Sequence, residues 1–281
     1  VYTGTTRYAD CKKALDDYVL NAGYTIDSNF ADTFKGDNNL SNEIIFPIIS
    51  DPNHSQSYGN MTYLINAAGI GKTDNIDLQP AFYLGSSGQW GGNKTTKEFI
   101  SLFSSTDKRA MFDKRDGLIE FITDLSKDRQ GYRITKFTNI RRDGSYIAGG
   151  SGSNFVDTDF PMFRLSDAYL MVAECALNGA GSLDATVLGN LNKLRQRAGV
   201  PDVTAAAINS KFLIDERGRE LYWEAHRRQD LIRFHMLEGS QYVWNWKGSV
   251  NGSALPSTIN LYPIPYDQLV MNPNLKQNPG Y

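Results

Sequence analysis

The sequence predicts a mainly α fold: an α–α superhelix of tetratricopeptide-like helix pairs that carries long irregular loops and small β-hairpins. Three observations lead there. Residues 163–178 and 184–197 are two stretches of helical period joined by a Gly-rich break, approximating a tetratricopeptide unit of about 34 residues in which Ala173 and Ala176 permit close helix packing. Residues 216–234 are a single helical stretch with acids and bases along the face that should be buried. Between Asp51 and Thr96, by contrast, Asn, Ser, Gly and Gln dominate and no helical period persists, which predicts a long loop region of the kind that carries function.

The remaining elements follow in order. Tyr8, Cys11, Ala14, Leu15, Tyr18 and Val19 recur at helical spacing, and Gly23 is a stop signal, so residues 6–22 read as an amphipathic helix whose packing partner is expected upstream. Phe30, Ala31 and Phe34 make a short helical turn. Residues 43–49 read as a buried strand or extended segment that tolerates Pro47 only at an edge or bulge. A short helix is expected at 97–103, strands at 118–122 and 132–137, and a Ser/Gly linker at 144–154. Tyr242, Trp244 and Trp246 alternate as on a strand, with Asn251-Gly252 as a turn and 258–262 as the return strand. Such a stripe reads first as core and second as ligand contact.

Composition narrows the function. Lys and Arg total 29 against 31 Asp and Glu, and no basic block occurs, which argues against a nucleic-acid or anionic-membrane partner. No apolar run approaches the roughly 20 residues that span a bilayer as a helix. The two cysteines, Cys11 and Cys175, each sit in a helical pattern and read as small buried hydrophobes, not as a bonded pair. His54, His226 and His235 lack the spacing of a helical zinc site, so no metal is expected and no cofactor is called for. The stretches 69–73 and 91–95 lack the spacing of a phosphate-binding loop, and no nucleophile elbow is present.

Two constellations remain. Glu220 and Glu224 could form the paired carboxylates of a glycosidase, which sit about 5–10 Å apart across an open cleft. Leu221, Ala225 and Leu231 share their turns, however, so a buried ion-pair network is the expected role, with Glu224–Arg228 and Arg227–Asp230 as local pairs. The second is the 51–96 loop, which mixes aromatic faces with amides. That mixture suits a sugar, whose ring has an apolar face and whose hydroxyls need polar partners. Trp90, flanked by Gln89, Gly91, Gly92 and Asn93, has little bulk beside it, and Tyr83 and Tyr58 lie in similar surroundings. The candidate ligand-binding residues are therefore Trp90, Tyr83, Tyr58, Asn93 and Gln89; the alternative for each ring is a loop aromatic tucked onto the core. No catalytic residue is assigned.

The helix pair from Phe163, the charged run Glu216-Arg217-Gly218-Arg219-Glu220-Leu221-Tyr222-Trp223-Glu224, the Tyr262-Pro263-Ile264-Pro265 turn and the terminal Asn278-Pro279-Gly280-Tyr281 occur in an order that resembles the C-terminal half of the SusD/RagB family. Asp107-Lys108-Arg109 also resembles a segment of that family. The resemblance implies a SusD-like fold and places all of residues 1–281 in the C-terminal region. It implies a non-enzymatic surface lipoprotein of a Gram-negative outer membrane that binds an oligosaccharide, or in the RagB branch a peptide, and passes it to a TonB-dependent, SusC-like transporter. A third possibility is that this half is scaffold and transporter contact, with ligand bound elsewhere. Family members carry a lipid-bearing Cys after a signal peptide. Cys11 follows Tyr8-Ala9-Asp10, which lacks the small apolar residues of such a site, so the anchor, signal peptide and first helical repeats are expected outside this sequence.

Overall fold

The computed structural model describes residues 5–69, 84–86, 90–114, 118–127, 129–145 and 154–281. Helix α1 spans Tyr8–Tyr18 and strand β1 Ile44–Ile48; α2 spans Asn60–Ala68 and α3 Lys97–Ile100. Short strands β2 (Phe112–Asp113) and β3 (Arg133–Ile134) precede β4 (Phe160–Arg164). The chain then becomes helical in α4 (Leu165–Leu177), α5 (Ala185–Ala198), α6 (Ser210–Leu221), α7 (Arg227–Arg233) and α8 (Tyr266–Met271).

The expected helix pair is α4 and α5. Asp184 caps α5 by accepting from Thr186 N–H at 2.9 Å and Val187 N–H at 3.0 Å, and Gly199 ends it at φ 73°, a left-handed position that glycine fills without strain. α4 is the central element, packed on α1, α5 and α6. Leu165, Leu170, Ala173, Leu191, Leu194 and Leu213 are buried in the resulting core. Within this sequence α1 packs on α4, more than a hundred residues downstream. Its Cys11 meets Cys175 of α4. Both are free thiols, and burial, followed by the adjacent Cys11, pushes the Cys175 thiol up to about 12.

A second core lies under the loops, where Phe30, Phe34, Met61, Ile65, Phe112, Phe137 and Tyr222 pack together. Over it, β1 pairs antiparallel with β4 through irregular register at Phe46 and Pro47. With two strands only, β1 is an edge, so Pro47 needs no ladder donor. It is not the buried strand expected, because Phe46 and Ile48 are exposed. Among the described residues, 118–122 forms no strand and only Arg133–Ile134 of the stretch expected at 132–137 does. β3 pairs instead with β2, while Ile119 makes an isolated bridge to Gln130. The alternating 242–246 segment forms no strand; Tyr242 and Trp244 pack on a third, small core beside Ile214 and Leu231.

Between the first two cores runs a chain of buried ion pairs. Arg164, at the end of β4, donates to Glu43 at 2.7 Å, to Glu220 at 2.7 Å and to Glu224 at 2.6 Å. Arg197 of α5 binds Glu43 at 2.5 Å and also Glu220. Arg109 joins Asp107, Glu216 and Glu220, and Lys136 binds Glu224 at 2.5 Å. Arg217 pairs with Asp167 at 2.8 Å and Asp230 at 2.9 Å. Burial pushes the Glu220 carboxyl up, yet Arg197, Arg164 and Arg109 together hold it well below the ordinary carboxylate range. Burial lowers the Lys136 ammonium to about 8 against the pull of Glu224.

This network corrects the sequence expectation in two ways. The two local pairs expected do not form, although Arg219–Glu216 and Arg233–Asp230 pair one turn apart: Arg228 donates to the Ile259 carbonyl, and Arg227 to the Ile214 carbonyl and the Tyr242 hydroxyl. The 216–234 helix is also broken between α6 and α7. Arg164 takes the Glu220 carbonyl at 2.7 Å, and Lys136 takes those of Glu220 at 3.3 Å and Tyr222 at 2.7 Å. Cations thus occupy carbonyls that a continuous helix would bond to its own next turn. Trp223 and Ala225 on either side of Glu224 adopt φ of 62° and 64°, a left-handed conformation rare for a bulky residue.

Removing one member of such a network leaves opposite charges buried and unpaired. Arg164→Met is expected to cost about 3–5 kcal/mol in urea unfolding, whereas removing the exposed Lys211 from its i,i+4 pair with Asp215 should cost less than about 0.5 kcal/mol. Glu216, Glu220 and Glu224 are all held below their ordinary value of 4.5. The stability they contribute is therefore complete above about pH 4.5 and is lost as pH falls toward their folded values, so melting temperature measured by circular dichroism should drop steeply on that acid side.

Candidate functional site

Helix α2 lies inside the region that reads as loop, and it is the base of the site. Met61, Ile65 and Ala68 bury into the second core. Tyr63 emerges on the other side at 47% exposure. Asn66, fully buried, is the junction. Its amide donates to the Thr62 carbonyl at 2.8 Å and to the Asn154 carbonyl at 2.9 Å, and its side-chain oxygen accepts from the Ser86 hydroxyl.

The last carbonyls of a helix have no partner within it. Here the 90–93 segment supplies two. Trp90 N–H donates to the Asn66 carbonyl at 2.8 Å and Asn93 N–H to the Ala67 carbonyl at 3.0 Å. Arg133 of β3 holds the Asn93 carbonyl at 3.3 Å, and Thr95 N–H donates to the Tyr132 carbonyl at 2.9 Å. Residues 84–86 are fixed similarly. Asn139 donates through its backbone to the Leu84 carbonyl at 2.8 Å and through its side chain to the Gly85 carbonyl at 2.9 Å. Gly85 has φ 77°, and a Cβ there would lie 2.8 Å from the Asn139 backbone, so glycine is required by both conformation and space.

On this base sits a set of accessible rings. The Tyr58 ring lies 6.0 Å from Trp90 and 4.9 Å from Phe155, and the Tyr63 ring lies 6.4 Å from Trp90. Tyr58 and Trp90 are 60% and 41% exposed, which settles the alternative of rings tucked onto the core. The tilts of about 50° between neighbours make a curved platform and not a stack. The Asn93 side chain sits at its edge, with its oxygen 3.5 Å from the Tyr63 hydroxyl. Aromatic faces with an amide alongside are suited to binding a ligand that is apolar on one face and hydroxylated at its rim.

Of the five candidates, the structure brings together Tyr58, Trp90 and Asn93; Tyr83 and Gln89 lie outside the described residues. Sequence reasoning missed Tyr63, Phe155 and the organising Asn66. The signal for Tyr63 was present in the run Met61, Leu64, Ile65 and Ala68, whose helical spacing places Tyr63 on the opposite face. The Glu220 and Glu224 carboxylates are 0% and 2% exposed and committed to Arg164, Arg197 and Lys136, so they are structural. Among the described residues, no helix is long and apolar enough to cross a membrane, and no group of three or more His, Cys, Asp and Glu is placed to hold a metal ion.

Comparison with known proteins places this architecture. The starch-binding protein SusD of Bacteroides thetaiotaomicron is 32% identical over the whole chain, and the chain spans 57% of that relative's length. The surface glycan-binding protein A of the same organism superimposes with a TM-score of 0.71 at 19% identity, covering 97% of this chain and 59% of that one. Its complex with laminarihexaose gives a TM-score of 0.70 at 20% identity, covering the same shares. The mainly helical, SusD-like fold is common to all of these structures. A model of the SusD family matches residues 118–281, more than half the sequence, and the chain belongs to that family.

Proposed function

We propose that this protein binds an oligosaccharide on the Tyr58–Trp90–Tyr63 platform, without catalysing any change in it. The observation that supports this reading most directly is the exposed, curved array of rings with Asn93 at its margin, held on α2 by the Trp90 and Asn93 backbone hydrogen bonds. A preorganised aromatic surface binds a sugar ring at little conformational cost. The names of the relatives point the same way: one is a starch-binding protein, and another is a glycan-binding protein in complex with laminarihexaose. The same family membership supports the wider setting, in which the whole protein is a lipid-anchored subunit on the outer membrane that delivers its glycan to a TonB-dependent, SusC-like transporter. Polysaccharide utilisation is the process this serves.

A glycan array followed by calorimetry on the positive sugars tests the reading. Trp90→Ala is expected to weaken binding at least about tenfold, since it removes both stacking and buried ring area. No binding to any α- or β-glucan by the wild-type protein, or unchanged binding by Trp90→Ala, would contradict it. Asn66→Ala touches no ligand, yet it should reduce affinity together with a loss of about 1–3 kcal/mol in stability, because the Ser86 and Asn154 segments lose their shared buried partner. The checks are the same titration and a urea melt.

A further inference from the structure

Beside the platform lies an open depression of about 470 Å³ lined by Tyr63, Leu64, Asn93, Phe160, Trp223 and Ala225, with Lys94 at its margin. Its size is within the roughly 300–1,000 Å³ of small-molecule sites. Tyr63 and Asn93 belong to both places, so the depression continues the platform and is not a separate cleft. Its walls divide by chemistry, with Leu64, Phe160 and the half-buried Trp223 apolar and the Asn93 side polar. That is the amphipathic character of the Trp90 surface, repeated.

The wall at 223–225 is built under strain. Arg164 and Lys136 draw the Glu224 carboxylate into the interior, where it is 2% exposed. The residues on either side line the depression and take left-handed backbone angles. Such conformations are unfavourable for residues other than glycine and persist only where surroundings impose them, as they often do at functional sites. Lys136 and Arg164 impose them here through the Glu220 and Tyr222 carbonyls.

We propose that this depression is a second sugar subsite, in which Trp223 determines specificity by receiving a residue farther along the same neutral glycan chain that lies on Trp90. The inference rests on the reading of the platform as a glycan site. A ligand bridging both places would make affinity rise with chain length, and the turn between α6 and α7 would sense that length.

Titration of maltose, maltotriose, maltoheptaose and laminarihexaose into four proteins tests it: wild type, Trp90→Ala, Trp223→Ala and Ala225→Gln. Trp223 packs partly on the second core, so its variant is checked by its melting curve. Ala225 is exposed, so Ala225→Gln obstructs the depression without disturbing that core and decides the matter if Trp223→Ala does not fold. The expected result is a gain in affinity from maltose to maltoheptaose in the wild type that falls roughly fivefold to tenfold in Trp223→Ala, in keeping with the loss of one aromatic contact and its buried area, and by a similar factor in Ala225→Gln, which keeps the ring but blocks the sugar from reaching it. A wild type with no gain for longer chains, or an Ala225→Gln that keeps the full gain, overturns the second subsite. Unchanged binding by Trp90→Ala at every length instead overturns the platform reading, so the two failures are separate.

Discussion

Arg164 is the residue on which the architecture turns. It stands where β4 passes into α4, and from there it reaches Glu43 ahead of β1, Glu220 in α6 and Glu224 in the following turn. Those carboxylates are 56 to 121 residues away along the sequence. No apolar contact could fix three such segments in one orientation with equal geometric specificity, because a guanidinium donates to partners in its plane from N–H groups at fixed angles. Ion pairs of this kind add little net stability compared with a well-packed apolar core. What they fix here is which carbonyls and carboxylates meet, and so the position of the seam between the helical core and the loop-bearing core.

From that seam the site follows in two steps. The same cations end α6 by occupying its carbonyls, which turns the chain outward at Trp223. On the other side, Lys136 packs over the rings of Phe34 and Tyr222 at 4.2 and 4.3 Å, so the charge network continues into the aromatic core that supports α2. α2 in turn carries Tyr63 and accepts the Trp90 and Asn93 amides. Scaffold and binding surface thus share a floor.

What was legible in the sequence was what is local. α4 and α5 show their helical period and the Gly-rich break between them, and the structure adds the Asp184 cap and the Gly199 stop at the ends of α5. The burial of the charges in α6 was legible too, because apolar residues share their turns. Their partners were not, since Glu43, Arg109, Lys136 and Arg164 are far apart in sequence and carry no periodic signal. The break after Leu221 was invisible for a related reason. Nothing in Tyr222-Trp223-Glu224-Ala225 is a helix breaker, and the interruption is made by distant cations. α2 was hidden by its own polarity: Thr62 and Asn66 face the interior one turn apart, where a helix period would call for apolar residues. Asn66 pays for that burial with its full set of hydrogen bonds. The site residues in the loop were legible by composition alone, which names aromatic and amide types without their arrangement.

The 90–93 segment is hydrogen-bonded to α2 chiefly by peptide groups, the Trp90 and Asn93 amides, with the Asn93 side chain 3.5 Å from the Tyr63 hydroxyl. The indole of Trp90 takes no part in that attachment. The peptide of Trp90 holds the segment while its ring faces the platform, so the side chain at this position can be exchanged without removing those hydrogen bonds. Under the proposed function, a substitution of the ring at this position retunes the sugar that is held while the frame that presents it stays in place.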